Sequence, residues 1–288
     1  MLKRRITATL VVKDGIVVQS INFKKYLPVG KPPIAIEYLN RWGIDEIILL
    51  DISATRQQRQ PDFQMIKKAS VKCHVPLTVG GGITSVDHIK ELMHCGADKI
   101  SLNQQALTRH ALIKDAALIF GDQCVVVSID AVMTEKGYRV YDYMGKKPVD
   151  KSPAQFAKEA QDRGAGEILI NSVDRDGSYS GFDMELINSV CSAVTIPVIC
   201  CGGAKNADDF KEVFSKTHTS AAGAANFFHF TEHSVNITKA AVLASMPVRL
   251  DTHADYSCNS FDENFRLLKK TDAELEQLLF IRIEKEII

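Results

Sequence analysis

Short apolar runs alternate with helical patterns along almost the whole chain. Ile47-Ile48-Leu49-Leu50 and Val125-Val126-Val127 are continuous rather than alternating, as parallel strands buried on both faces require. Strands are predicted near 6–12, 46–51, 76–80, 99–102, 124–130, 167–172, 197–201 and 220–224. Helices are predicted between them, near 31–42, 62–72, 84–95, 105–118, 152–163, 183–193, 206–215 and 231–244. Thr84-Ser85-Val86-Asp87 and Asn206-Ala207-Asp208-Asp209 bring the oxygen-bearing side chains that cap helix N-termini.

The pattern is written twice. Pro76-Leu77-Thr78-Val79-Gly80-Gly81-Gly82-Ile83 returns as Pro197-Val198-Ile199-Cys200-Cys201-Gly202-Gly203-Ala204, and 197 − 76 = 121. Glu46, opening one apolar run, returns as Glu167, and 167 − 46 = 121. The run from Arg5 finds a looser echo from Cys124. So long a period means two copies of one multi-element unit. Four strand–helix units per copy predict an α/β fold, a closed (β/α)8 TIM barrel over residues 1–250, with half-barrels at about 1–120 and 121–250. A doubly wound open sheet is the alternative, and it does not explain four plus four. Residues 251–260 are polar and turn-like. Residues 262–288 read as an amphipathic helix with Phe265, Leu267, Leu268, Leu275, Leu278 and Leu279 on its apolar side. This extension, 251–288, is either packed on the barrel or a contact surface for a partner or second copy.

Composition narrows the function. Thirty-five basic and thirty-five acidic residues cancel, leaving no electrostatic footprint for nucleic acid. No apolar run approaches the roughly 20 residues of a membrane span, and no signal-peptide core precedes the first strand. Seven cysteines without Cys-x-x-Cys spacing suggest reduced thiols in a cytoplasmic protein. Cys200-Cys201 are strand neighbours facing opposite ways, unsuited to one metal. No metal or cofactor site is read from the sequence.

In such a barrel the chemistry sits at the C-terminal ends of the strands. The glycine loops Gly81-Gly82 and Gly202-Gly203 present backbone N–H groups to phosphate oxygens, although tight turns alone also use glycine. Together they suggest two cradles for a ligand phosphorylated at both ends. Asp51, Asp130, Asp174, Asp176 and Asp183 fall at the same face. Asp130 ends an apolar strand, so burial suits it to acid/base work; a loop-capping carboxylate is the plainer alternative. At the opposite face Arg5, Glu46, Lys99 and Glu167 each start a strand. They form either a solvated rim or a closed ring of ion pairs that gates a small neutral molecule.

Val12-Lys13-Asp14-Gly15, Leu77-Thr78-Val79-Gly80-Gly81-Gly82-Ile83, Ser172-Val173-Asp174-Arg175-Asp176-Gly177 and Phe228-His229-Phe230 resemble the cyclase subunit of imidazole glycerol phosphate synthase. The resemblance runs from residue 1 to about 250. It implies a barrel that accepts ammonia from a glutaminase subunit docked on its floor and uses it on a bisphosphorylated ribulosyl-aminoimidazole. It further implies that Arg5, Glu46, Lys99 and Glu167 match the ammonia gate and Asp98 a docking residue. Gly81, Gly82, Asn103, Gly177, Gly202, Gly203, Ala225 and Asn226 match the phosphate sites, and Asp130 and Asp176 the catalytic acids. The family's strand-1 acid falls at Val11. A substrate-holding lysine falls at Gln19 and a serine at Met144. Valine moves no proton, and losing such a group costs about 10²–10⁴-fold.

Three readings follow. The chain is a paralogue that keeps the conduit and supplies a separate sugar amidotransferase making an acetamidino surface sugar. Or it is a working cyclase whose acid is supplied by Asp14 or Asp176. Or it is a silent scaffold binding phosphorylated ligands. Asp14, three positions past Val11, faces the other way on an extended strand.

Overall fold

The computed structural model describes residues 3–230 and 233–250, with Ser260, Asp262, Glu263, Leu268 and Thr271. The remainder of the predicted extension lies outside the described residues. Eight strands form the barrel: β1 (Arg5–Lys13), β2 (Glu46–Asp51), β3 (Leu77–Gly80), β4 (Lys99–Leu102), β5 (Val125–Thr134), β6 (Glu167–Ser172), β7 (Val198–Cys201) and β8 (Ala221–Ala224). Each pairs in parallel with its sequence neighbour, and β8 pairs with β1, so the sheet closes. The (β/α)8 barrel is confirmed and the open sheet excluded.

Among the described residues eight helices of eight or more residues surround it: α1 (Pro32–Arg41), α2 (Phe63–Ser70), α3 (Val86–His94), α4 (Ala111–Phe120), α5 (Pro153–Asp162), α6 (Met184–Cys191), α7 (Ala207–Lys216) and α8 (Ser234–Leu243), with shorter ones at Gln104–Thr108 and Asn226–Phe230. The caps are those the sequence offers. Ser85 accepts from the His88 N–H, and Asn206 and Asp209 form a reciprocal capping box. No helix of the described residues is long and apolar enough to cross a membrane.

The repeat is carried by the backbone. α1 and α5 start at 32 and 153, α2 and α6 at 63 and 184, each 121 apart. Their caps repeat too: Asp62 accepts from the Met65 N–H and Asp183 from the Leu186 N–H. The glycine loops match in detail. A Cβ on Gly81 would stand 2.2 Å from the Asp51 carbonyl oxygen, and one on Gly202 2.8 Å from that of Ser172, where 172 − 51 = 121. Close loop packing therefore demands these glycines whatever they bind.

Two features were not foreseen. A hairpin follows β1, with strands Ile16–Ile21 and Lys25–Gly30, and another follows β5, with strands Gly137–Asp142 and Lys147–Pro148. The helix predicted at 105–118 is two, Gln104–Thr108 and α4, with a break at Arg109-His110. The larger core lies between strands and helices; a smaller one, Ile48, Val126, Leu169, Ile199 and Ala221, fills the barrel interior. Period-2 alternation sends Arg5, Thr7, Thr9 and Val11 of β1 up the same interior column.

Candidate functional site

At the C-terminal ends of the strands a pocket opens, with about 1090 Å³ of empty space including its mouth. Thr9, Val11, Leu50, Ser101, Ser128, Leu169, Asn171 and Cys201 line its depths, Asp130 and Asp176 among them. Asp130 is buried at 8 % exposure. Its carboxylate accepts from Asn103 Nδ2 at 2.9 Å and Asn171 Nδ2 at 3.3 Å. Burial pushes its pKa up to about 6, against the two amide hydrogen bonds and helped by the nearby Asp176 charge. Such a group exchanges protons near neutral pH.

Register identifies its counterpart. Asp130 pairs with Asn171 across β5 and β6, and Val11 pairs with Leu50 across β1 and β2. Leu50 and Asn171 are 121 apart, so Val11 and Asp130, 119 apart, occupy equivalent places. The looser echo is thereby explained: β5 carries two extra residues before its hairpin, where Thr134 pairs with Gly137 as Lys13 does with Ile16. The barrel's quasi-twofold mouth holds one carboxyl and, in its mirror position, an isopropyl group.

The other acids have structural employment. Asp176 lines the pocket, but its Oδ2 accepts from Ser20 Oγ at 2.6 Å and the Phe23 N–H at 3.2 Å, anchoring the first hairpin. Burial raises its pKa as well. Asp174 accepts from the Met133 N–H, Asp183 caps α6, and Asp51 pairs with Arg59 at 2.6 Å. Asp14 sits in the hairpin turn at φ +50°, exposed, bound by Gln57 Nε2 and outside the pocket wall. Gln19 reaches Tyr179, and Met144 is exposed.

Of the expected phosphate contacts, Gly81, Gly82, Asn103 and Ala225 line the pocket. Gly177, Gly202, Gly203 and Asn226 do not. A Cβ on Gly203 would meet the Gly181 carbonyl at 2.1 Å, and Asn226 Nδ2 is spent on the Ser20 carbonyl at 2.6 Å. Both glycine loops are thus packed against neighbouring carbonyls, and the first also lines the cavity. Phe23, Tyr26, Arg56 and Tyr143 also line the mouth. They come from loops and hairpins that the strand–helix pattern does not reveal; Asp14-Gly15 between apolar residues was the available hairpin signal.

At the floor the four charged residues do meet. Arg5 Nη1 is 2.5 Å from Glu46 Oε2, and its Nη2 bonds Glu167. Lys99 Nζ lies 2.9 Å from Glu46 and 2.8 Å from Glu167, and Thr78 Oγ1 donates to Glu46 at 3.2 Å. The carboxylates are buried, whereas the cations are about one-fifth exposed. Burial alone would lower the pKa of Lys99, but Glu46 and Glu167 outweigh it, so the ammonium is held more firmly than usual. Asp98 is exposed on this face, its carboxylate accepting the Leu77 N–H at 2.8 Å. Just outside the ring, Asp45 and Lys239 form a fully buried pair at 2.6 Å, and Asp45 also accepts the Ile6 N–H at 2.7 Å.

Fold and site define a two-fold-repeat (β/α)8 barrel with a ring of ion pairs on its floor and a mouth lined by the carboxyls of Asp130 and Asp176 above. The chain belongs to the histidine biosynthesis protein family, whose profile matches residues 5–234, and within it is HisF-like. It is 42 % identical over 243 residues to the imidazole glycerol phosphate synthase subunit HisF of Streptococcus mutans, covering 84 % of this chain and 97 % of that one. Against HisF of Halalkalibacterium halodurans it is 42 % identical over 237 residues, 82 % and 94 % of the two chains. The match to imidazole glycerol phosphate synthase subunit hisF2 of Vibrio vulnificus is also 42 % but runs for 266 residues, 92 % and 97 %.

Proposed function

We propose that this chain is an ammonia-receiving HisF-type subunit whose mouth has lost ordinary cyclase chemistry. In this reading a glutaminase docks on the floor beside Asp98, and ammonia passes the ring of Arg5, Glu46, Lys99 and Glu167. The observation that carries the reading is Val11 standing at the mirror position of Asp130 while all four floor residues remain paired. The ammonia then serves a separate amidotransferase that builds an acetamidino group on a surface sugar. The match to the relative named as subunit hisF2 covers 92 % of this chain, against 84 % for HisF of Streptococcus mutans, which supports a hisF2-type subunit.

One observation favours the alternative, a working cyclase in histidine biosynthesis: Asp176 shares the pocket with Asp130 and their charges interact. Its carboxylate is held by the hairpin, which leaves it a poor proton carrier. Expression in a bacterium lacking its own HisF tests the choice. No growth without histidine, even with abundant ammonium, is expected; growth would establish the cyclase.

A further inference from the structure

We propose that Arg56 is the specificity-determining cation for a phosphate group bound at the first-half glycine loop. The inference rests on reading that loop as a phosphate cradle. Arg56 follows β2 and stands in the pocket wall with Thr55, Gly81 and Gly82. Its loop is fixed against the glycine turn: the Gly82 N–H donates to Thr55 Oγ1 at 3.3 Å, and a Cβ on Gly82 would lie 2.7 Å from the Arg59 carbonyl. The neighbouring acid, Asp51, is already taken by Arg59.

Among the described residues Arg56 has no ion pair. Its Nη2 donates to the Tyr143 carbonyl at 3.3 Å, and its guanidinium lies 5.8 Å from the Tyr143 ring centroid. A guanidinium so placed is oriented across the mouth while keeping most of its five N–H donors for a planar or tetrahedral anion, which it binds bidentately.

The second half offers no equivalent. Position 56 + 121 is Gly177, and Arg175 on that loop is spent on the carbonyls of Ser180, Gly181 and Phe182 and on Asp183. Val11 removes a negative charge from the mouth and Arg56 supplies a positive one. The ligand's phosphate is therefore drawn to the one glycine loop that opens to the cavity.

Phosphate on a sugar and phosphate on a nucleoside share this chemistry. Calorimetric titration of the full chain with ribose 5-phosphate and with uridine diphosphate separates them, with ribose as the uncharged control. Wild type is expected to bind at least one of the two, the tighter naming the source. Arg56→Ala should weaken that binding about tenfold, the loss of one charge-assisted hydrogen-bonding group on an exposed side chain. Arg56→Lys should recover part of it. Equal affinity in wild type and Arg56→Ala would overturn the role of Arg56 alone. Binding of neither probe by wild type would instead overturn the cradle reading on which it stands.

Discussion

Floor and mouth answer differently to the same doubling of the chain. At the floor, Glu46 and Glu167 occupy equivalent places and both are kept, each bridged to Arg5 and to Lys99. At the mouth, equivalent places hold Val11 and Asp130. Physical chemistry explains part of the contrast. The floor carboxylates are buried, so removing one cation strands a charge, and breaking such pairs typically costs 3–5 kcal/mol, roughly. At the mouth, Val11 lines the pocket with Leu50 and Leu169, and a valine there leaves no buried charge unpaired. The floor ion pairs thus have a structural reason to be kept whatever passes between them, and only an assay that separates stability from transport can assign them to a gate.

The largest expected effect would break the contrast. Val11→Asp restores symmetry at the mouth, and ammonium-driven cyclisation of the family's bisphosphorylated substrate should rise about 10²-fold or more; no gain would mean the pocket has diverged beyond this position. Next comes the buried Asp45–Lys239 pair beside the ring. Lys239→Met should cost about 3–5 kcal/mol in urea unfolding, with Asp45→Asn added to it recovering most of the loss. Equal loss in single and double variants would mean that packing, not charge, sets the cost.

How much of this was legible depended on distance from the strand pattern. The shift of 121, all eight barrel strands and the four floor residues were readable, because buried parallel strands are uniformly apolar and a charge at their start stands out. The hairpins were not, since Ile16-Val17-Val18 and the run after Gly137 are short and lie between stronger signals. The hairpin residues in the mouth, Ser20, Phe23, Tyr26 and Tyr143, therefore leave no signal in the strand–helix pattern, and Arg56 lies in a loop without periodicity. The glycine pairs suggest ligand binding from the sequence, and the structure adds that packing requires them in both halves, Gly81 and Gly82 against Asp51 and Arg59, Gly202 and Gly203 against Ser172 and Gly181.

A smaller effect concerns the remaining acid. Asp130 titrates near 6 in the folded protein against about 3.9 when unfolded, so the folded state binds the extra proton between those values. Stability should fall as pH rises from 4 to 6, and the cost stays above that, roughly 2–3 kcal/mol. Asp130→Asn should therefore stabilise the chain at pH 8 by about 2 kcal/mol and not at pH 4; a pH-independent change would show that its carboxyl is ordinary. Last, in the Val11→Asp background, where product is expected, adding Lys99→Met should alter the ratio of glutamine-driven to ammonium-driven product, measured with a HisF-family glutaminase subunit, by about tenfold while leaving the ammonium rate within a factor of two, since the mouth is untouched and Arg5 still bridges both carboxylates. Equal loss in both assays would remove the gate.

The most direct test of a retained floor beneath a disarmed mouth is turnover of the cyclase substrate by wild-type protein at saturating ammonium. The expected result is substrate binding without product, at least 10²-fold below the roughly 1 s⁻¹ of an ordinary enzyme. Product at about 1 s⁻¹ or faster would contradict the account and make Asp176 the missing acid.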